Sequence, residues 1–119
     1  MKDRKALKAA YKEMKFKMGA FQIRNLSNGK LFVGSSANLD AIWNRHRFQL
    51  NMGSHRNTEL QKEWNTFKEE NFVFEILEEL PHRDDTSDYS EELSLLETFY
   101  LEKLSPYNDR GYHQASRRT

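Results

Sequence analysis

The hydrophobic period changes several times along the chain. Leu7, Tyr11, Met14 and Met18 recur at steps of four, three and four, with Lys5, Lys8, Lys12 and Lys15 at other positions around the same spiral. That spacing predicts a basic amphipathic helix over residues 3–15, closed by Gly19. From Ala20 the period drops to two, as Phe21 and Ile23 alternate with Gln22 and Arg24. Ser27-Asn28-Gly29 then interrupts, and Leu31, Phe32 and Val33 resume an apolar run. Asn-Gly between two β-prone runs predicts a hairpin. Asn38 is placed to cap a helix that carries Leu39, Trp43, His46 and Leu50 on one stripe, and the Gly-containing stretch Asn51 to His55 ends it. A further helix is predicted over about residues 58–68, with Leu60, Trp64 and Phe67 inward. Phe72, Phe74 and Ile76 then alternate with Val73, Glu75 and Leu77 in a third strand over residues 71–80. After a polar, acidic loop at 81–89, Ser90 is expected to cap a last helix through Leu104, which Ser105-Pro106 stops. The order helix, strand, strand, helix, helix, strand, helix predicts an α+β domain in which helices pack on a small, mostly antiparallel sheet.

Composition narrows the picture. The 119 residues suffice for one domain, and the hydrophobic share is only 37%, so the two Trp, five Tyr and eight Phe must supply much of the buried area. The absence of cysteine excludes disulfides, thiolate nucleophiles and Cys-based metal sites. With no bilayer-length apolar run and no apolar segment behind the first basic residues, the expectation is a cytoplasmic protein that does not engage a membrane. The net charge of +1 hides an asymmetry. Residues 1–48 hold eleven Lys plus Arg against the acids Asp3, Glu13 and Asp40, whereas residues 49–119 hold eight against fifteen. The basic half offers a footprint for phosphates, unless the fold neutralises one half against the other. The N-terminal helix has a lysine face suited to a nucleic-acid backbone or a membrane surface, the alternative being a packing helix with a solvated side.

Missing motifs limit the chemistry. There is no phosphate-binding loop, dinucleotide fingerprint or nucleophile elbow, and His46, His55, His82 and His113 lack zinc-hydrolase spacing. Any metal would be held by carboxylates and water, which suits magnesium or manganese. Glu97 has Leu93, Tyr100, Leu101 and Leu104 at helical spacings, so its carboxylate shares a flank with core positions and must be paired, hydrogen-bonded or metal-bound. His46 taken alone reads as a satisfied, half-buried histidine, and Trp43 and Trp64 read as core. Arg24, Lys30, Arg45, Arg47 and Arg56 are the candidate phosphate contacts, with solvation the alternative for each.

Read in order, several fragments carry a family resemblance. Gly19-Ala20-Phe21 is followed by Phe32-Val33-Gly34, Ser35-Ser36, Asn38-Leu39 and Trp43-Asn44-Arg45-His46. Downstream stand Gly53-Ser54-His55, Leu60-Gln61, Trp64, Glu70-Asn71-Phe72, Ile76-Leu77-Glu78-Glu79, Glu97 with Leu101, and Pro106-Tyr107-Asn108. This pattern, over residues 18–113, resembles the GIY-YIG nuclease superfamily and within it the homing-endonuclease-like branch. The resemblance implies an α/β/α sandwich around a three-stranded antiparallel sheet, preceded here by the basic helix at 1–17 and followed by a flexible basic tail at 114–119. It further implies phosphodiester hydrolysis with one divalent ion, Mg2+ or Mn2+, and nucleic acid, foremost DNA, as partner. By the same resemblance Glu97 matches the metal-binding glutamate, and His46 and His55 match histidines near the site. Both tyrosine positions hold phenylalanine, Phe21 and Phe32, and the arginine position holds Ile42. The last polar position falls on Asn108 or His113.

Phenylalanine keeps the ring without an ionisable hydroxyl, and isoleucine cannot balance phosphate charge. Three readings follow. The first is an active nuclease in which His46 serves as base, Arg45 holds the phosphate and Glu97 the metal. The second is a nucleic-acid binder with weakened or lost cleavage. The third is a protein or small-ligand module in which Phe21, Phe32 and Ile42 have made the cleft apolar.

Overall fold

The computed structural model describes residues 16–83 and 88–114; the helix predicted at 3–15 and the residues from 115 onward lie outside them. The described elements are β1 (Gly19–Asn25), β2 (Leu31–Ser36), α1 (Leu39–Met52), α2 (Thr58–Phe67), β3 (Phe72–Glu79) and α3 (Ser90–Leu104), with short 3-10 turns at Glu69–Asn71 and Asn108–Arg110. The sheet runs β2-β1-β3 and both pairings are antiparallel. No described helix is long and apolar enough to cross a membrane.

The hairpin turn forms as its sequence demands. Gly29 takes φ 76°, the Asn28 side chain accepts from the Lys30 N–H at 3.0 Å, and the Asn25 backbone closes the turn with bonds to Gly29 and Lys30. The alternation along β3 is interrupted. Phe21 pairs with Ile76 but Ala20 with Glu78, so Leu77 is an extra residue in a bulge. The strict period read from the sequence therefore holds from Phe72 to Ile76 only.

Alternation along β1 and β2 sorts the two faces. Phe21, Ile23 and Phe32 point to α1 and α2, while Ser35 points to α3. Phe21 faces Gly34 across the β1–β2 pair, and a Cβ at Gly34 would stand 2.7 Å from the tip of the Phe21 ring. The glycine makes room for the aromatic ring. The core on that face joins Phe21, Ile23, Leu39, Leu50, Leu60, Trp64, Phe72 and Tyr112. Aromatic contacts thread it, with Phe21 on Phe74, Phe74 on Trp43, Trp43 edge-on to Trp64 and Trp64 against Phe72, at ring separations of 5.0 to 6.4 Å.

The Asn38 side chain caps α1 by accepting from Ala41 N–H, and Gly53 ends the helix in the left-handed conformation at φ 77°. Asn57 caps α2 through Leu60 N–H. Ser90 is not a cap. It is the first residue of α3, and both its N–H and its hydroxyl donate to Asp88, whose carboxylate takes the anionic place before the helix. Nor does Met18 extend a helical stripe; it lies in non-helical backbone directly before β1, its carbonyl accepting from the Leu80 N–H, and is 1% exposed.

One buried polar residue ties the elements together. Asn25, fully buried at the end of β1, accepts from Ser27 N–H and Asn71 Nδ2 and donates to Glu63 of α2 and to the Tyr112 hydroxyl. Tyr112 donates in turn to Glu63 at 2.6 Å. The segment carrying Tyr112 is thereby held beside β2, where Tyr112 N–H donates to Leu31 O and Gly111 forms a parallel bridge to Leu31. Replacing Tyr112 by Phe should lower unfolding free energy by about 1–3 kcal/mol, because buried Asn25 and half-buried Glu63 lose a partner without gaining water. A urea titration with unchanged slope checks this.

Candidate functional site

A cavity of about 490 Å³ opens between the β2 edge and α1. Its wall is built from Phe32, Ile42, Arg45, His46, Gln49, His55, Arg56 and Asn57. Helix α1 supplies Ile42, Arg45, His46 and Gln49, which share one face by their spacing. The loop behind Gly53 supplies His55, Arg56 and Asn57. That loop is fixed from below by Gln61, 9% exposed, which accepts from the His55 N–H and donates to Leu50 O.

The two histidines meet directly. His46 Nδ1 and His55 Nε2 are 2.8 Å apart, and the other nitrogen of His55, Nδ1, accepts from the Asn57 N–H at 3.0 Å. Phe32 lies edge-on to both rings and is stacked on His113 at 5.0 Å. Burial, together with the neighbouring His55 and Arg45, pulls the His46 pKa down to about 4. Burial also holds His55 below its ordinary value, with Arg56 acting in the same direction.

Glu97 and His113 stand at the strand edge, outside the cavity wall. Ser35 Oγ donates to Glu97 Oε1 at 2.7 Å across the face that packs on α3. His113 Nε2 accepts from the Val33 N–H at 2.8 Å. Burial lowers the pKa of His113, although the Glu97 charge opposes that shift. A second hollow of about 300 Å³, lined in part by Arg56, Asn57, Tyr112 and His113, adjoins the first through Arg56 and Asn57.

Each residue singled out from sequence can now be placed. Arg45 and Arg56 line the cavity and make no ion pair among the described residues. Arg24 is gripped by both oxygens of Glu75, Lys30 lies between Glu59 and Glu63, and Arg47 reaches Glu69 while lying over Trp43. Phe21 is interior at 2% exposure, whereas Phe32 and Ile42 are half-buried and face the hollow. Of the two alternatives for the last motif position, His113 comes to the site and Asn108 sits exposed on a 3-10 turn. Sequence reasoning passed over Asn57 and gave no role to Ser35 and Gln61, which enter it only within the fragments of the resemblance. Asn57 carried one legible signal, a capping residue directly before the Thr58 helix.

Among the described residues no group of three or more His, Asp or Glu side chains is placed to hold a metal. Glu97 offers a single carboxylate, and only its Oε1 is engaged by Ser35.

The family model for the GIY-YIG catalytic domain matches residues 17–111. Intron-associated endonuclease 1 of Enterobacteria phage T4 is 42% identical over 71 residues, which is 58% of this chain and 28% of that protein. The match thus spans little more than a quarter of that relative. Among solved structures, the catalytic domain of homing endonuclease I-TevI aligns with a TM-score of 0.69 at 32% identity, covering 84% of this chain and 100% of that one. A mutant of the catalytic domain of intron endonuclease I-TevI aligns with the same score at 29% identity, over 85% and 98% of the two chains.

The histidine pair generates a pH prediction. His46 titrates near 4 when folded and near its ordinary 6.5 when unfolded, so the unfolded chain binds the extra proton between those values. Stability present above pH 6.5 should fall as the pH drops toward 4. His46→Gln should flatten that part of the profile of urea midpoint against pH.

Proposed function

The chain belongs to the GIY-YIG catalytic-domain family, and from that premise we propose that its cavity receives a phosphodiester of nucleic acid, DNA foremost, with binding retained and cleavage reduced to a residual rate. One observation carries this reading. Arg45 and Arg56 both line a hollow whose wall contains no acid, while the other cations proposed for phosphate contact are committed to carboxylates. Paired N–H groups on a planar guanidinium match two phosphate oxygens.

The donor set bears on the metal that the family implies. One carboxylate is enough for Mg2+ or Mn2+ that keeps most of its water and shares the phosphate, so Glu97 would hold such an ion through the oxygen that Ser35 leaves open. Bound there, the ion would supply charge stabilisation to the oxygens of the phosphate. Ser35 and the packing of α3 on β2 keep the carboxylate at the strand edge.

What this chain's own residues contribute to turnover is reduced. Phe21 and Phe32 have no hydroxyl to give up a proton, and Ile42 leaves one charge-stabilising position apolar. A missing base forfeits about 10²–10⁴ in rate and a missing donor about 10²–10³, together about 10⁴–10⁷. The apolar-module reading fares less well on geometry, since Phe21 is interior and the remaining apolar wall is flanked by two arginines.

Anisotropy of a labelled oligonucleotide should show binding that weakens steeply with salt, as counterion release requires. Arg45→Ala combined with Arg56→Ala should reduce both affinity and the salt slope. Salt-insensitive binding, or none, defeats the proposal. Incubation of supercoiled plasmid with magnesium or manganese should give at most slow nicking that disappears in Glu97→Ala; fast nicking lost in that variant would instead mean that an intact base operates.

A further inference from the structure

We infer that His46 presents a neutral N–H to the cavity, with its polarity set through His55 by the backbone of Asn57, so that it holds an anionic oxygen and does not accept a proton from the substrate.

The argument is one of direction. A backbone N–H can only donate, so the Asn57 N–H at 3.0 Å from His55 Nδ1 requires a lone pair on that nitrogen. A neutral imidazole with a bare Nδ1 carries its proton on Nε2, so His55 is the donor in the 2.8 Å contact with His46 Nδ1. His46 Nδ1 therefore accepts, and the His46 proton resides on Nε2. That nitrogen makes no further hydrogen bond among the described residues and is not among their buried unpartnered atoms, so it opens on the cavity. The chain of bonds runs one way, from the Asn57 backbone through both rings to the hollow.

Adding a proton breaks this chain wherever it is placed. A proton on His46 Nδ1 would face the Nε2 proton of His55. If His55 moved its own proton to Nδ1 to make room, that proton would meet the Asn57 N–H. The surroundings offer no compensation. His46 is approached by Arg45 from its own helix, by His55 and Arg56 from the adjoining loop, and by the apolar rings of Phe21 and Phe32. No carboxylate bonds to either histidine among the described residues.

This inference rests on the cavity being the phosphodiester site and assigns His46 a role there. An Nε2–H in a cavity that Arg45 and Arg56 also line adds a donor for phosphate oxygens, and it removes His46 as the general base. Asn57 is the positioning residue, acting through its N–H while its side chain holds Leu60 N–H and Tyr112 O.

The direct test is a long-range proton–nitrogen NMR correlation on the nitrogen-15-labelled chain. Both His46 and His55 should carry their proton on Nε2 at pH 7 and keep it there down to pH 5.5. A proton on His46 Nδ1, or a cationic His46 in that range, would overturn the inference. Oligothymidylate binding tests the role separately from the polarity. His46→Gln, which keeps an N–H in reach of the Nε2 position, should bind within about threefold of the parent, and His46→Leu should weaken binding about tenfold, one charge-assisted bond at its lower value. Equal binding by the parent and both variants, each folded by circular dichroism, would overturn the donor role. If the parent itself binds no oligonucleotide while the NMR pattern holds, the phosphodiester reading of the cavity fails and the donor role fails with it.

Discussion

Asn25 is the residue on which the site's architecture depends. It is an amide with no exposure at the end of the central strand, and every polar atom of its side chain is used. An amide buried without partners would cost several kcal/mol, so its satisfaction is a condition of the fold rather than an ornament. Its four contacts come from the hairpin turn, the 3-10 turn before β3, helix α2 and the C-terminal segment. Glu63, the shared acceptor, is pulled upward by burial, but bonds from Tyr112 and Asn28 and the Lys30 charge outweigh that, so it stays ionised. Tyr112, buried and donating to Glu63, is pushed well above its ordinary value and stays protonated. The site inherits this rigidity. Asn57 donates to Tyr112 O, and His113 follows Tyr112 directly, so one network holds the loop on one side of Phe32 and the ring on the other.

Backbone donors then determine the electrical character of the site. The Val33 N–H fixes a lone pair on His113 Nε2 just as the Asn57 N–H does on His55 Nδ1. Burial holds both rings below their ordinary pKa, against the Glu97 charge in the case of His113. Positive charge around the cavity consequently comes from Arg45 and Arg56.

Much of this was readable from residue order. The Asn28-Gly29 hairpin, the Asn38 cap, the Leu39–Leu50 stripe and the Ser105-Pro106 stop are local, and local chemistry decides them. The Leu77 bulge was not readable, because it arises from how β3 meets β1 and not from its own alternation. Ser90 misled for a related reason. Serine before an apolar run suits a cap, yet Asp88 two residues earlier competes for the same role with a full charge. In the site, Glu97, His46 and His55 stood out as residue types in a recognisable pattern. Which ring accepts and which donates depends on Asn57, a contact that the pattern of His46 and His55 does not encode.

The charge asymmetry of the sequence finds its explanation in three dimensions. Arg24 pairs with Glu75, Lys30 with Glu59 and Glu63, and Arg47 with Glu69, each a cation of the basic half meeting acids of the acidic half. The Arg24–Glu75 bond is strong enough to hold the carboxyl near a pKa of about 2, yet it lies on the surface, where such pairs add little stability. Their consequence is spatial. By cancelling charge along the sheet and α2, they leave Arg45 and Arg56, of the five cations read as candidate phosphate contacts, without an acid partner among the described residues. Because no acid lines the cavity with Arg45 and Arg56, the phosphate of the proposed function would meet there a positive charge that these surface pairs do not cancel.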